Sequence, residues 1–326
     1  MFYYFSRFLV RLALPIYLKR LCVINLKGLP QGTPLLLASN HPDSFFDAVV
    51  IGSVLEQPIH TLTRGDVFKK PSIAFWLRQI NLIPVFRGSE GRQYLKNHDI
   101  TAQESHDALK KGDAVVVFSE GICVNEWRLR PLGKGTARMA YQVWFGDGAL
   151  ADMLVIPTGV NYEHFRGPGK RVALRFGAGI HHTEMKTSPQ DYEKWLREFN
   201  EILDERMNRE ILTLEPVLTK QEHQAKMNNF FGDCTLPKGG NVLQKAAGAA
   251  GRLIHKSLYT FFEKKAAKLT ARSVFYDSVL FGLLLYLYPL IVLLLSGIVA
   301  LIFGGLAGLA VFAALPLLAW AGARYR

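Results

Sequence analysis

From Ser278 to Ala323 the chain carries no charged residue at all. A bilayer span takes about 20 apolar residues, so a stretch of this length fits two spans and overfills one. The turn between them is expected near Ser296-Gly297 or Gly304-Gly305. Lysines and arginines precede the first span, and Arg324 and Arg326 follow the second. Cations at both ends point to a hairpin over 274–326 with both termini on the cytoplasmic face of the inner, cytoplasmic membrane. The rest of the chain then folds as something tethered to a lipid bilayer. Composition agrees, with 49% hydrophobic residues and a mean hydropathy of +0.12.

The formal charge of +12 suits nucleic acid, an anionic membrane surface or a phosphorylated substrate. No Lys/Arg block is interleaved with aromatics in an RNA-binding pattern, so nucleic acid is set aside. Cys22, Cys123 and Cys234 are odd in number, widely spaced and lack a Cys-x-x-Cys pair. Neither a disulfide nor a zinc site is expected, and the catalytic part should face a reducing cytosol. His181 and His182 are adjacent, and on an extended chain they point to opposite faces, so no metal site is expected there either.

Residues 1–20 are dense in aromatic and aliphatic side chains, with Arg7 and Arg11 four apart on one helical face. The segment reads as a helix lying in the bilayer interface or as one packed on the domain. Aromatic content and the cationic face favour the interface; Pro15 would interrupt or bend it. Residues 21–215 alternate short strands and helices. Strands are expected at 22–26, 35–38, 59–63, 82–86, 114–118, 154–157 and 172–176, and helices at 46–55, 67–80, 93–111 and 134–145. This pattern implies an α/β domain with a largely parallel or mixed central sheet and flanking helices, whose functional loops gather at the carboxyl ends of strands. After Ser188-Pro189, Tyr192, Trp195, Phe199 and Leu203 give one apolar helical stripe. Residues 216–273 form a helical basic linker, whose segment from Val242 to Arg272 is expected against anionic headgroups.

The chemistry is expected at Asn40-His41-Pro42-Asp43-Ser44-Phe45-Phe46-Asp47, between an apolar strand and a helix start. A histidine there can have one ring nitrogen fixed by a carboxylate while the other takes a proton from a substrate hydroxyl. The plain alternative is that Asn40 or Ser44 caps the helix, with His41 incidental and Asp47 solvated in the first turn. Three further strand ends are polar. Arg87-Gly88-Ser89 follows one and Ser119-Glu120-Gly121 another; Arg128, Arg130 and Lys134 then precede a helix start, an order that suits a phosphate.

Asn40-His41 with Asp47, then Pro84-Val85-Phe86-Arg87, then Phe118-Ser119-Glu120-Gly121, then Val155-Ile156-Pro157, resemble the four ordered blocks of the phospholipid/glycerol acyltransferase family. The resemblance covers roughly residues 20–185 and implies a glycerolipid acyltransferase-like α/β fold. It also implies acyl transfer from acyl-CoA or acyl-ACP to 1-acyl-glycerol 3-phosphate in phospholipid synthesis, with no cofactor beyond that co-substrate. It would make His41 the base, Asp47 its orienting partner, Arg87 and Glu120-Gly121 acceptor-binding positions, and Pro157 part of the acyl-side pocket. Two positions depart from the pattern. Five residues separate His41 from Asp47 instead of four, so Asp43 is a rival partner. Ile122-Cys123-Val124 replaces the expected arginine-bearing continuation, leaving Arg128, Arg130 or Lys134 to take over its charge. The five-residue spacing also resembles a subgroup that includes glycerol-3-phosphate acyltransferases. A lipid hydrolase or a non-catalytic membrane-anchored binding protein are the readings from other classes.

Overall fold

The computed structural model describes residues 1–86, 98–232, 234 and 240–325. Its strands are β1 (Arg20–Ile24), β2 (Leu35–Ser39), β3 (Ile59–Arg64), β4 (Leu82–Val85), β5 (Ala114–Phe118), β6 (Leu154–Tyr162) and β7 (Arg171–Phe176). They form one sheet in the order β1-β7-β6-β2-β5-β3-β4. Every pairing is parallel except β6 with β7, so the sheet is mixed. β2 lies at its centre and is buried along its whole length, which is why it reads as an unbroken apolar run instead of an alternating one.

Successive side chains of a strand point to opposite faces, and the sheet builds two cores on that rule. Leu35, Leu37, Val116 and Ile156 face one side, with α1 (Phe2–Tyr17) and α2 (Phe45–Val54) over them. Leu36, Ala38, Val115 and Val155 face the other. There they meet Ala108 and Leu109 of α4 (His98–Lys110), Val143 and Trp144 of α5 (Gly135–Phe145), and the expected stripe Trp195, Phe199 and Leu203 of α6 (Tyr192–Glu210). The short α3 (Pro71–Gln79) lies between β3 and β4 in the chain.

α1 is one helix through Pro15, ending at Tyr17, and its inner face packs Val10, Leu14 and Tyr17 into the core. Arg7 and Arg11 do not form an outward cationic face. Arg7 donates to the carbonyl of Glu56 at 2.9 Å, and Arg11 to those of Ser53 and Leu55 at 2.9 and 3.0 Å. The end of α2 leaves carbonyls without intrahelical partners, and these draw the guanidinium groups inward. Tyr4, Phe5, Phe8 and Leu12 remain exposed on the opposite face.

The region after α6 holds α7 (Lys220–Phe230) and the long α8 (Val242–Thr270), followed by α9 (Tyr276–Phe303) and α10 (Gly305–Arg324). The last two are long and apolar enough to cross a membrane. Their turn falls at Gly304, whose φ of 92° belongs to the region that favours glycine. α8 packs along α10 so closely that a Cβ on Gly251 would sit 2.0 Å from the carbonyl oxygen of Leu318. The first turns of α9 sink into the core on the α1 and α2 side of the sheet through Tyr276, Leu280, Phe281 and Leu285. Its later turns expose Leu290, Leu293, Leu294, Leu301 and Phe303.

Cys22 and Cys234 are joined by a disulfide, which corrects the expectation of none. α7 folds back on the β1 edge, so Met227, Phe231 and Cys234 pack with Leu212, Leu214 and Ala173. A separation of 212 residues hides such a pair from any reading of local spacing. Among the described residues no group of three or more His, Cys, Asp or Glu side chains could hold a metal ion.

Candidate active site

β2 ends at Ser39 and α2 begins at Phe45, so the residues between them must reverse the chain at the carboxyl edge of the sheet. They do so through Ser44, whose φ of 56° lies where non-glycine residues are uncommon. The turn carries His41 back over the start of α2, and His41 Nδ1 lies 2.9 Å from Asp47 Oδ2. Asp47 is fully buried and is fixed from two more directions. The Tyr162 hydroxyl donates to Oδ1 at 2.8 Å and the main-chain N–H of Asp43 donates to Oδ2 at 2.9 Å. Burial and the neighbouring Asp47 hold the Tyr162 phenol well above its ordinary value, so it remains a donor.

The His41 ring stacks on Phe118 with centroids 3.7 Å apart and planes 15° from parallel. Its side chain keeps 19% exposure, so the imidazole is fixed in orientation yet open to a ligand. Below it, the loop after β5 grips the turn. Glu120 accepts the N–H of His41 at 2.9 Å and that of Arg130 at 2.8 Å. Burial raises the Glu120 pKa, opposed by those two N–H groups. Val124 N–H donates to the His41 carbonyl and Asn125 to that of Pro42.

An imidazole with one nitrogen held by a buried carboxylate, and the other without a hydrogen-bond partner among the described residues, is arranged to remove a proton from a hydroxyl. A family model described as Acyltransferase matches residues 20–161, the segment that contains this arrangement. Residues 20–161 are thus similar to an acyltransferase domain. Among solved structures, the 1-acyl-sn-glycerophosphate (LPA) acyltransferase PlsC from Thermotoga maritima is similar at 17% identity and a TM-score of 0.39, over 59% of this chain and 72% of that one. No curated protein matches the chain.

Of the two rival partners, Asp47 is the one whose carboxylate meets the His41 ring. Asp43 offers His41 no carboxylate oxygen; its side chain turns to Lys170 Nζ at 2.8 Å, and the Ser44 turn absorbs the extra residue. The cations expected around a phosphate are placed less simply. Arg128 and Arg130 both pair with Glu126, at 2.8 and 2.5 Å, while Lys134 pairs with Glu193 on α6 at 2.7 Å. The three are thus not gathered about one point. Glu120 spends both oxygens on main-chain N–H groups, and Gly121 beside it adopts φ 69°. Pro157 is buried in β6 in register with Ala38 of β2. Arg87 lies outside the described residues.

The sequence did not point to Tyr162, Lys170, Asp277 or Ser278, and gave Phe118 only as the first residue of a motif block. The signal for Tyr162 was obscured by Pro157, where a strand reading stops because proline lacks an N–H. β6 continues five residues further to Tyr162. For Asp277 there was a clue, since it is the last charge before the charge-free stretch.

Proposed function

We propose that this acyltransferase moves a fatty acyl group from acyl-CoA or acyl-ACP to the free hydroxyl of a glycerol phosphate lipid, 1-acyl-glycerol 3-phosphate first among them. The observation that carries the reading is the 2.9 Å contact between His41 Nδ1 and the buried Asp47. With Nδ1 so held, Nε2 removes the acceptor hydroxyl proton as its oxygen attacks the thioester carbonyl. The C–O bond forms, the C–S bond breaks, and the proton passes from the imidazolium to the departing thiolate. Asp47 stabilises that imidazolium as it forms. A positioned base supplies about 10²- to 10⁴-fold of the acceleration, and alignment of the two substrates supplies more.

In this reading residues 21–215 are the catalytic unit, 216–273 a basic linker and 274–326 a bilayer hairpin. The apolar length of α9 and α10 supports membrane attachment. The cations at both ends of the hairpin support a cytoplasmic orientation. Residues 1–20 lie in the interface with Tyr4, Phe5, Phe8 and Leu12 outward. Arg128, Arg130 and Arg87 are the cations proposed for the acceptor phosphate, with Lys134, Glu120 and Gly121 framing the same loop, and Pro157 backs the acyl side.

The test is detergent-solubilised protein with labelled acyl-CoA or acyl-ACP and a panel of acceptors, wild type against His41→Ala. Transfer to 1-acyl-glycerol 3-phosphate, lost by at least about 10²-fold in His41→Ala with the fold retained, is the expected result. Transfer to glycerol 3-phosphate alone moves the protein to the first acylation. Net deacylation without transfer, or near-normal turnover in His41→Ala, removes the assignment.

A further inference from the structure

Lys170 is fully buried, and its ammonium lies between two carboxylates from distant parts of the chain. Asp43 Oδ2, on the catalytic turn, is 2.8 Å away, and Asp277 Oδ2, in the first turn of α9, also accepts from it. The ammonium stands 4.5 Å above the ring of Tyr162 and 5.0 Å from that of Phe46, the two residues that flank Asp47 in space and in sequence. Asp277 Oδ1 accepts the N–H of Gly167 at 2.7 Å, fixing the loop that delivers Lys170. The adjoining Ser278 hydroxyl accepts the Phe46 N–H at 3.0 Å and donates to the Asp43 carbonyl at 3.3 Å. Ser44, the residue at the N-cap of α2, makes no side-chain cap of its own.

The catalytic turn is therefore gripped from α9 on both sides of Ser44, whose backbone is itself in a conformation that must be held from outside. We infer that Asp277 and Ser278 of α9, together with Lys170, are positioning residues for the His41–Asp47 pair, so that the apolar hairpin completes the active site as well as anchoring it. None of the three hydrogen-bonds to the His41 ring, and Lys170 has no exposure through which it could meet a substrate. Their action runs through Asp43, whose N–H holds Asp47 Oδ2, and through Phe46, the residue before Asp47. A simple brace between domain and hairpin would need only the ion pair. It would not need a hydroxyl that caps α2 beside the carboxylate that holds His41.

The inference rests on the acyl-transfer reading, and the experiment separates the two. Full-length protein in detergent is compared with Ser278→Ala, Ser278→Thr, Asp277→Asn and the double variant Lys170→Met with Asp277→Leu. The double variant removes the buried ammonium together with one of its two carboxylates, and the Asp43 carboxyl left behind, already raised by burial, is neutral without its cation. Acyl transfer is measured as kcat and KM. Independently, the pH dependence of His41 carbethoxylation by diethyl pyrocarbonate is read by mass spectrometry. A loosened Asp47 stabilises the imidazolium less, so the reactive neutral ring appears at lower pH. Expected are a kcat reduced about 5- to 10-fold in Ser278→Ala, with KM little changed and recovery in Ser278→Thr. The folded double variant should lose more, and in Ser278→Ala and the double variant the His41 profile should move to lower pH. Wild-type kcat and an unmoved His41 profile in these variants would overturn the inference. A wild type that transfers no acyl group, but whose His41 profile still moves in the variants, would overturn the acyl-transfer reading and leave the positioning of His41 demonstrated.

Discussion

Asp47 does its work through the company it keeps. Three groups converge on its two oxygens, and each fixes a different degree of freedom of the carboxylate that orients His41. Removing the Tyr162 hydroxyl leaves Oδ1 without its donor, so the carboxylate carries more charge toward His41 and the imidazolium is favoured. Tyr162→Phe should move the acidic limb of kcat/KM to higher pH, with kcat down about 5- to 10-fold from the lost charged hydrogen bond. A pH–rate profile checks both. Asp43 offers the opposite kind of test. Burial, with Asp277 and Asp47 adding to it against Lys170, holds its pKa well above the ordinary carboxylate range. A raised folded-state pKa means that the native chain binds this proton more tightly than the unfolded chain. The associated stability is complete below the ordinary carboxylate range and is lost as pH rises through the raised value. Asp43→Asn should therefore flatten that part of the stability curve, as thermal melts from about pH 4 to 8 would record.

Among the elements, α1 and α2 show how far sequence patterns carry and where they stop. The apolar density of α1 was legible, and so was the shared helical face of Arg7 and Arg11. What the spacing could not show is which way the arginines turn, because that depends on the open carbonyls at the end of α2, over forty residues away. Arg11→Ala strands the carbonyls of Ser53 and Leu55 and should cost about 1–3 kcal/mol, read as a lower melting temperature with wild-type KM. The same distinction runs through the site. His41 and Asp47 lie on one turn of chain and were legible as candidate partners, although their separation left Asp43 as a rival. Tyr162, Lys170 and Asp277 join them only because β6 runs on past Pro157, β7 returns antiparallel beside it, and α9 docks at that edge. Strand β5 was legible to the residue because an uninterrupted Val-Val-Val run admits one reading. Nothing local in Cys22 or Cys234 announces a partner beyond 200 residues.

At the scale of the whole molecule, two features bear on the proposed membrane orientation. The cations that bracket the hairpin support the proposed cytoplasmic domain, whereas a disulfide persists in oxidising compartments. The bond ties β1, at the sheet edge, to the segment just after α7, far along the chain from the His41 turn, and so closes a loop spanning both cores. Closing so long a loop restricts the unfolded chain, and bridges of this kind contribute about 2–4 kcal/mol. For a domain of this size that is about 5 to 15 °C in melting temperature. Purified oxidised protein should lose that margin on reduction, and Cys22→Ser should melt where reduced wild type does and be indifferent to reductant. If the domain is cytoplasmic, the cellular glutathione pool holds both cysteines as thiols. Cells lysed into excess maleimide without reductant should then yield Cys22 and Cys234 alkylated, together with Cys123 once the protein is denatured. Inverted vesicles should expose the catalytic domain to added protease while right-side-out vesicles protect it. An intact Cys22–Cys234 bridge in freshly trapped cells, with protection reversed between the two kinds of vesicle, would put the domain on the far side. The cation pattern would then have been outweighed by the domain folded between the termini, since a long folded segment crosses largely regardless of its charge.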